Sequence, residues 1–162
     1  AALLRTEVLR AVGGVPAAFF CYYEDTDTSW RLRLAGWRIL TDSRARVWHG
    51  HGASTGLGSV AFHRWNERNR LLTLLRCAPA AVAAAQLARF AAITALLPVR
   101  KLRGDQVPVA ANFTVRLRAG VLAEVVARIP ATVHARRGIT GDRDTIWRTW
   151  SDRPAYGDRR QR

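Results

Sequence analysis

The stretch FFCYYEDTDTSWRLRLAGWRIL, Phe19 to Leu40, constrains the fold more than any other part of the chain. An aromatic run is followed at once by three carboxylates, Glu24, Asp25 and Asp27, and then by apolar residues at helical spacing. Carboxylates beside so much apolar surface are costly unless paired, hydrogen-bonded or used. Asp25 or Thr26 is a suitable N-cap, and Asp27 then falls in the first turn, where the helix dipole favours negative charge. Trp30 and Leu34 lie one turn apart on one face, and Gly36 supplies the stop. The carboxylates are therefore expected at a helix N-terminus. One account has them cap the helix, meet its dipole and pair with Arg31. In another, Tyr22, Tyr23 and Trp30 partly desolvate a carboxylate, which suits it to general-base work on an alcohol.

Around this helix the pattern reads as mixed α/β. Residues 3 to 9 resemble a short strand entering a helix, closed by Gly13 and Gly14. The aromatic run Phe19 to Tyr23 reads as a strand or a buried loop. Trp37 to Leu40 looks like a strand, and ARVWHGH another, with Ala45, Val47 and His49 alternating onto one face. A Gly- and Ser-rich connection follows, and Val60 to Arg76 is helical, with Phe62, Trp65, Leu72 and Leu75 as its inner set.

Beyond Pro79 the character changes. AAVAAAQLARFAAITALL is long and apolar, yet Gln86 and Arg89 interrupt it and Ala inserts weakly into bilayers, so a helix on the membrane surface or inside the protein is expected over a span. VRLRAGVLAEVVARI gives a second amphipathic helix, and residues from Gly138 onward read as a loosely ordered tail. The expected organisation is thus 1–77, an α/β part; 78–137, a basic, apolar helical module; and 138–162, the tail. Charge follows the same division. Residues 76–162 carry 16 basic against 6 acidic residues, whereas 1–75 carry 10 against 6. A polyanion is expected to meet the second part. Only one cation is lysine; guanidinium suits phosphate, and it also reflects a bias toward Arg codons.

Two cysteines, Cys21 and Cys77, are too few for a disulfide framework or a four-ligand zinc site, which favours a reducing, cytoplasmic setting. His49, His51 and His63 with Cys77 match no familiar zinc spacing. No signal peptide is visible, and the absence of Met suggests that further chain lies upstream. Arg64 and Arg68 share a helix face flanked by Arg70; they read either as a solvated face paired with Glu67 or as a diphosphate grip.

Taken in order, AALLRTEVLRAVGG, FFCYYEDTDTSWRLRLAGWRIL, ARVWHGHGAS and ERNRLLTLLR resemble the C-terminal half of family 2 glycosyltransferases of the GT-A (Rossmann-like) fold, most like bacterial rhamnosyltransferases and galactofuranosyltransferases of cell-wall assembly. The resemblance covers residues 1–77, and its motif E-D-x-D-x-x-W-R-L-R is long and specific. It implies inverting transfer of a sugar such as rhamnose from a nucleoside diphosphate sugar to a polyprenyl diphosphate-linked or polysaccharide acceptor. It makes Asp25 the base, Glu24 the acid preceding it, and Asp27 and Trp30 shapers of the acceptor site. His49 would be a ligand of a divalent metal, Mg or Mn, and Tyr23 and Trp48 would line the site with Arg68 and Arg70. It also implies an anionic membrane surface as partner, with the protein peripheral at the inner face of the cell membrane, and no nucleic acid. No Asp-x-Asp triplet precedes Glu24, and GGVPAAFF replaces the family's Gly-Gly-Phe-Asp-Glu approach. The donor half is therefore missing from this chain, which is not expected to turn over alone. The rival expectations are a non-catalytic basic module on membrane or nucleic acid, and an inert remnant of such an enzyme.

Overall fold

A computed structural model describes residues 2–48, 55–56 and 58–151. Among the described residues six helices form: α1 (Thr6–Ala11), α2 (Glu24–Leu34), α3 (Val60–Cys77), α4 (Ala80–Leu102), α5 (Val115–Arg137) and α6 (Arg143–Trp150). Single 3-10 turns at Ala17–Phe19 and Ala111–Phe113 join them.

The expected α/β architecture does not form: the described residues are helical and irregular, with no strand or sheet. Residues 2–5 are irregular and lead into α1. Trp37 to Leu40 and Ala45 to Trp48 run as irregular chain, with Leu40, Val47 and Trp48 exposed. The physical reason lies in pairing. Alternation makes a segment suited to a sheet, but a strand exists only where a neighbour takes its N–H and C=O groups. Among the described residues no other segment does so. The Rossmann-like reading is overturned with it.

The helices follow their local signals more closely. α2 begins at Glu24, one or two residues before the expected cap, because Tyr23 adopts a left-handed conformation (φ 67°) and turns the chain directly into the helix. It ends as expected at Gly36 (φ +84°), where Trp37 N–H reaches Leu32 O at 2.9 Å and Gly36 N–H reaches Arg33 O at 2.9 Å. Ser59 Oγ caps α3 by accepting from Phe62 N–H at 3.1 Å.

The core sits where α3, α4 and α5 meet. Phe19, Leu71, Leu72, Phe90, Leu117, Val121 and Val125 form it, with α3 packed most extensively on α5. Burying side chains of this size contributes about 1.5–3 kcal/mol each. The core runs across the corner at Ala78 and Pro79, with α3 packed against both α4 and α5. Residues 143–150, inside the expected tail, form α6, capped by Asp142 Oδ1 through the N–H groups of Asp144 (3.0 Å) and Thr145 (3.1 Å). A Cβ on Gly141 would lie 1.9 Å from Leu34 O. Only glycine lets the chain pass this close to the end of α2 and return α6 across it.

Candidate functional site

The site is built from α2, which carries the acidic motif, and α3, which holds the loop before it. Phe20, Tyr22 and Tyr23 all have left-handed φ, of 63°, 69° and 67°. Bulky residues adopt that conformation only under constraint. The constraint is Asn69 in α3, fully buried, whose Nδ2 donates to Phe19 O (3.1 Å), Cys21 O (2.9 Å) and Tyr22 O (2.8 Å). Arg68 joins it, donating from Nη2 to Phe19 O at 3.0 Å and from Nη1 to Glu124 at 3.0 Å. Glu124 in α5 also takes Arg64. Burial pushes the Glu124 carboxyl up, but the hydrogen bonds from Arg68 and Arg64 outweigh it and hold the group below its ordinary value.

The three carboxylates are placed very differently. Asp27 is fully buried, and its Oδ2 accepts from Arg31 Nε at 2.7 Å and from Arg76 Nη1 at 3.0 Å. Arg31 goes on to hold the turn after α1, donating to Val12 O and to Gly14 O (2.7 Å). Asp27 is thus a strut that ties α1, α2 and α3 together. Glu24 is half-buried, with Oε2 unpartnered. Asp25 is exposed in the first turn of α2, its Oδ1 2.6 Å from Thr26 N. It is the most exposed of the three.

Tyr23, Trp30 and Arg70 come together in the lining of one cleft of about 260 Å³, with Thr73, Gln86 and Trp147. Trp147 of α6 stacks on Trp30 with ring centres 5.1 Å apart and planes 20° apart. Arg70 is held by Glu67 (Nε to Oε2, 3.0 Å) and touches Gln86 Oε1 at 3.4 Å. Burial raises the Tyr23 hydroxyl, Arg70 lowers it, and Glu67 and Asp25 raise it further, so Asp25 stands near enough to be felt there. Cys77 lies at the back of the cleft, its thiol pushed up to about 12 by burial and by the charge of Asp27.

Of the other expected site residues, Arg68 is buried in the loop clamp and Trp48 is fully exposed outside the cleft. His49 lies outside the described residues. Among the described ones no three His, Cys, Asp or Glu side chains gather where a metal would be held. Sequence reasoning missed Asn69, Thr73, Gln86 and Trp147. Thr73 lies one turn from Arg70, and Trp147 with Trp150 follows the Asp142 cap at helical spacing, which were signals to find them. Comparison of the chain with family models, with curated proteins and with solved structures finds no match.

Proposed function

We propose that the chain is the acceptor-side part of an inverting glycosyltransferase, moving a sugar from a nucleoside diphosphate donor to a lipid-linked or polysaccharide acceptor. The motif E-D-x-D-x-x-W-R-L-R carries the family assignment. The observation that supports the chemistry is the division of labour within it: Asp27 is fully buried between two guanidinium groups, while Asp25 is exposed two residues along the chain from Tyr23, which lines a cleft with Trp30. A base must reach the acceptor hydroxyl, and Asp25 is the carboxylate free to do so. Proton removal by Asp25 makes that oxygen the nucleophile at the anomeric carbon. The proposal draws on α2 and α3 and needs no sheet. Its test is nucleoside diphosphate release by the complete gene product. Asp25→Asn is expected to abolish release while leaving the fold intact; release at the wild-type rate would overturn the reading.

A second reading is supported by α4, whose length and composition, with mean hydropathy 1.7 over eighteen residues, are those of a membrane helix. Only 22% of that window is buried, and Leu96, Val99 and Leu102 stand exposed beside Arg100, Lys101 and Arg103. Apolar residues edged by cations suit the surface of an anionic bilayer. This reading serves the first, by bringing a lipid-linked acceptor to the site, or stands alone as a non-catalytic membrane module. Sedimentation with phosphatidylglycerol vesicles, lost in Leu96→Glu/Leu102→Glu, supports it; equal sedimentation with phosphatidylcholine vesicles removes the role of charge.

A further inference from the structure

Among the described residues that line the cleft, Thr73 carries a buried hydroxyl that the fold leaves without a partner. Thr73 is 4% exposed, and its Oγ1 has no partner. Three other helical threonines return their hydroxyls to the carbonyl one turn back: Thr28 to Glu24 O at 2.7 Å, Thr94 to Phe90 O at 2.7 Å and Thr149 to Thr145 O at 2.8 Å. Thr73 does not, and it lines the cleft. A buried hydroxyl without a partner costs about 1–3 kcal/mol, which a ligand hydroxyl meeting it from the cleft would offset.

The surrounding chemistry narrows what that is. Trp30 and Trp147 provide an aromatic wall, and Gln86 provides an amide. Arg70 is held in place through three of its five N–H donors. None of the residues lining the cleft is a carboxylate. A volume of about 260 Å³ falls just below the range of about 300–1,000 Å³ typical of drug-sized ligands, which suits one small ring. A ring with an apolar face and several hydroxyls meets all of these conditions: stacking from tryptophan, hydrogen bonds from Thr73, Gln86 and Arg70.

We infer that this cleft is a saccharide subsite that takes a single neutral sugar ring, with Trp147 of α6 closing it and Thr73 Oγ1 reading one ring hydroxyl. Only the assignment of that ring to the acceptor rests on the glycosyltransferase reading; the binding itself is measured separately.

The indole N–H signals of Trp30 and Trp147, assigned through Trp30→Phe and Trp147→Phe, report on the cleft by NMR. Titration of the whole chain with methyl glycosides of rhamnose, galactose, glucose and mannose is expected to shift both signals for at least one sugar. Thr73→Val is expected to weaken that binding about tenfold, the loss of one hydrogen bond, while leaving the thermal midpoint equal to wild type or higher. Thr73→Ser retains binding. No shift with any glycoside, undiminished binding by Thr73→Val, or a response to inorganic phosphate in place of the sugars each overturns the inference. Those results leave Asp25→Asn and its loss of transfer untouched, so the two readings fail separately.

Discussion

Asp27 and Arg76, separated by 49 residues in the chain, meet at 3.0 Å with Asp27 shut away from water. Arg31 holds the same oxygen at 2.7 Å. A carboxylate buried between two guanidinium groups cannot be replaced by a neutral amide without stranding both charges. Asp27→Asn is therefore expected to destabilise the protein by about 3–5 kcal/mol. Asp25→Asn, on the exposed side of the same turn, is expected to stay within about 0.5 kcal/mol of wild type. Urea unfolding of the two variants side by side separates the strut from the proposed base; equal losses would contradict the division drawn between them.

Asn69 answers for three backbone carbonyls with one amide. Asn69→Ala leaves all three without that donor and releases three left-handed aromatic residues. The expected loss is at least about 2 kcal/mol, with new cleavage by chymotrypsin at Phe20, Tyr22 or Tyr23 under native conditions. A variant that resists chymotrypsin as wild type does would show that the loop is held otherwise.

The Glu124 carboxyl, held below its ordinary value of 4.5, binds its proton less readily when folded than when unfolded. Its contribution to stability is thus present above that ordinary value and is lost as pH falls through the depressed one. Stability measured from neutral pH down to about 3 should fall less steeply in Glu124→Gln than in wild type, from a lower starting point. Parallel curves would remove Glu124 as a source of acid sensitivity.

Cys77 carries a thiol pushed up to about 12 and is 2% exposed, whereas Cys21 is half-exposed. Iodoacetamide at mildly alkaline pH is expected to label Cys21 and spare Cys77 until denaturant is added, as read by peptide mass spectrometry. Because the folded thiol holds its proton more tightly than the unfolded one, stability should also decline as pH rises above the ordinary thiol value toward 12. Labelling of both cysteines in the native protein would contradict the burial.

Gly141 passes so close to Leu34 that a methyl group there would meet its carbonyl oxygen. Gly141→Ala is expected to push α6 off α2 and separate Trp147 from Trp30. Near-ultraviolet circular dichroism, sensitive to the stacked indoles, should lose intensity while the far-ultraviolet signal changes little. Retention of the near-ultraviolet band would mean that α6 stays seated by other contacts.

The helices were legible because their determinants are local. The Gly- and Ser-rich connection marks the start of α3 and Gly36 the end of α2, whereas α6 was missed, its residues reading as part of a loosely ordered tail. The sheet was misread because Trp37 to Leu40 and Ala45 to Trp48 display the alternation of a strand, which describes what a segment is suited to and not whether a partner exists. The aromatic loop was illegible for a different reason. Nothing about Phe20, Tyr22 or Tyr23 predicts positive φ; the group that imposes it, Asn69, lies more than forty residues away. The motif pointed to Asp25 and Trp30, but only packing distinguishes the buried Asp27 from its exposed neighbour, and only the fold brings Trp147 to Trp30.

The unpaired stretch from Trp37 to Trp48 has a bearing on how the protein keeps to itself in solution. Its apolar side chains are open to contact with other copies, yet Arg38 and Arg46 are spaced among them, both exposed, while Arg44 is paired with Asp42. Like charges at such intervals keep two copies apart, as charged residues do along the edges of sheets. That protection is electrostatic and therefore borrowed from dilute buffer: added salt shortens its reach to a few ångströms, about 3 Å at 1 M, while strengthening the pull between Ile39, Leu40 and Val47. The colloidal behaviour of this protein is thus expected to run opposite to ordinary salting-in, clearest at low ionic strength and turbid as salt rises.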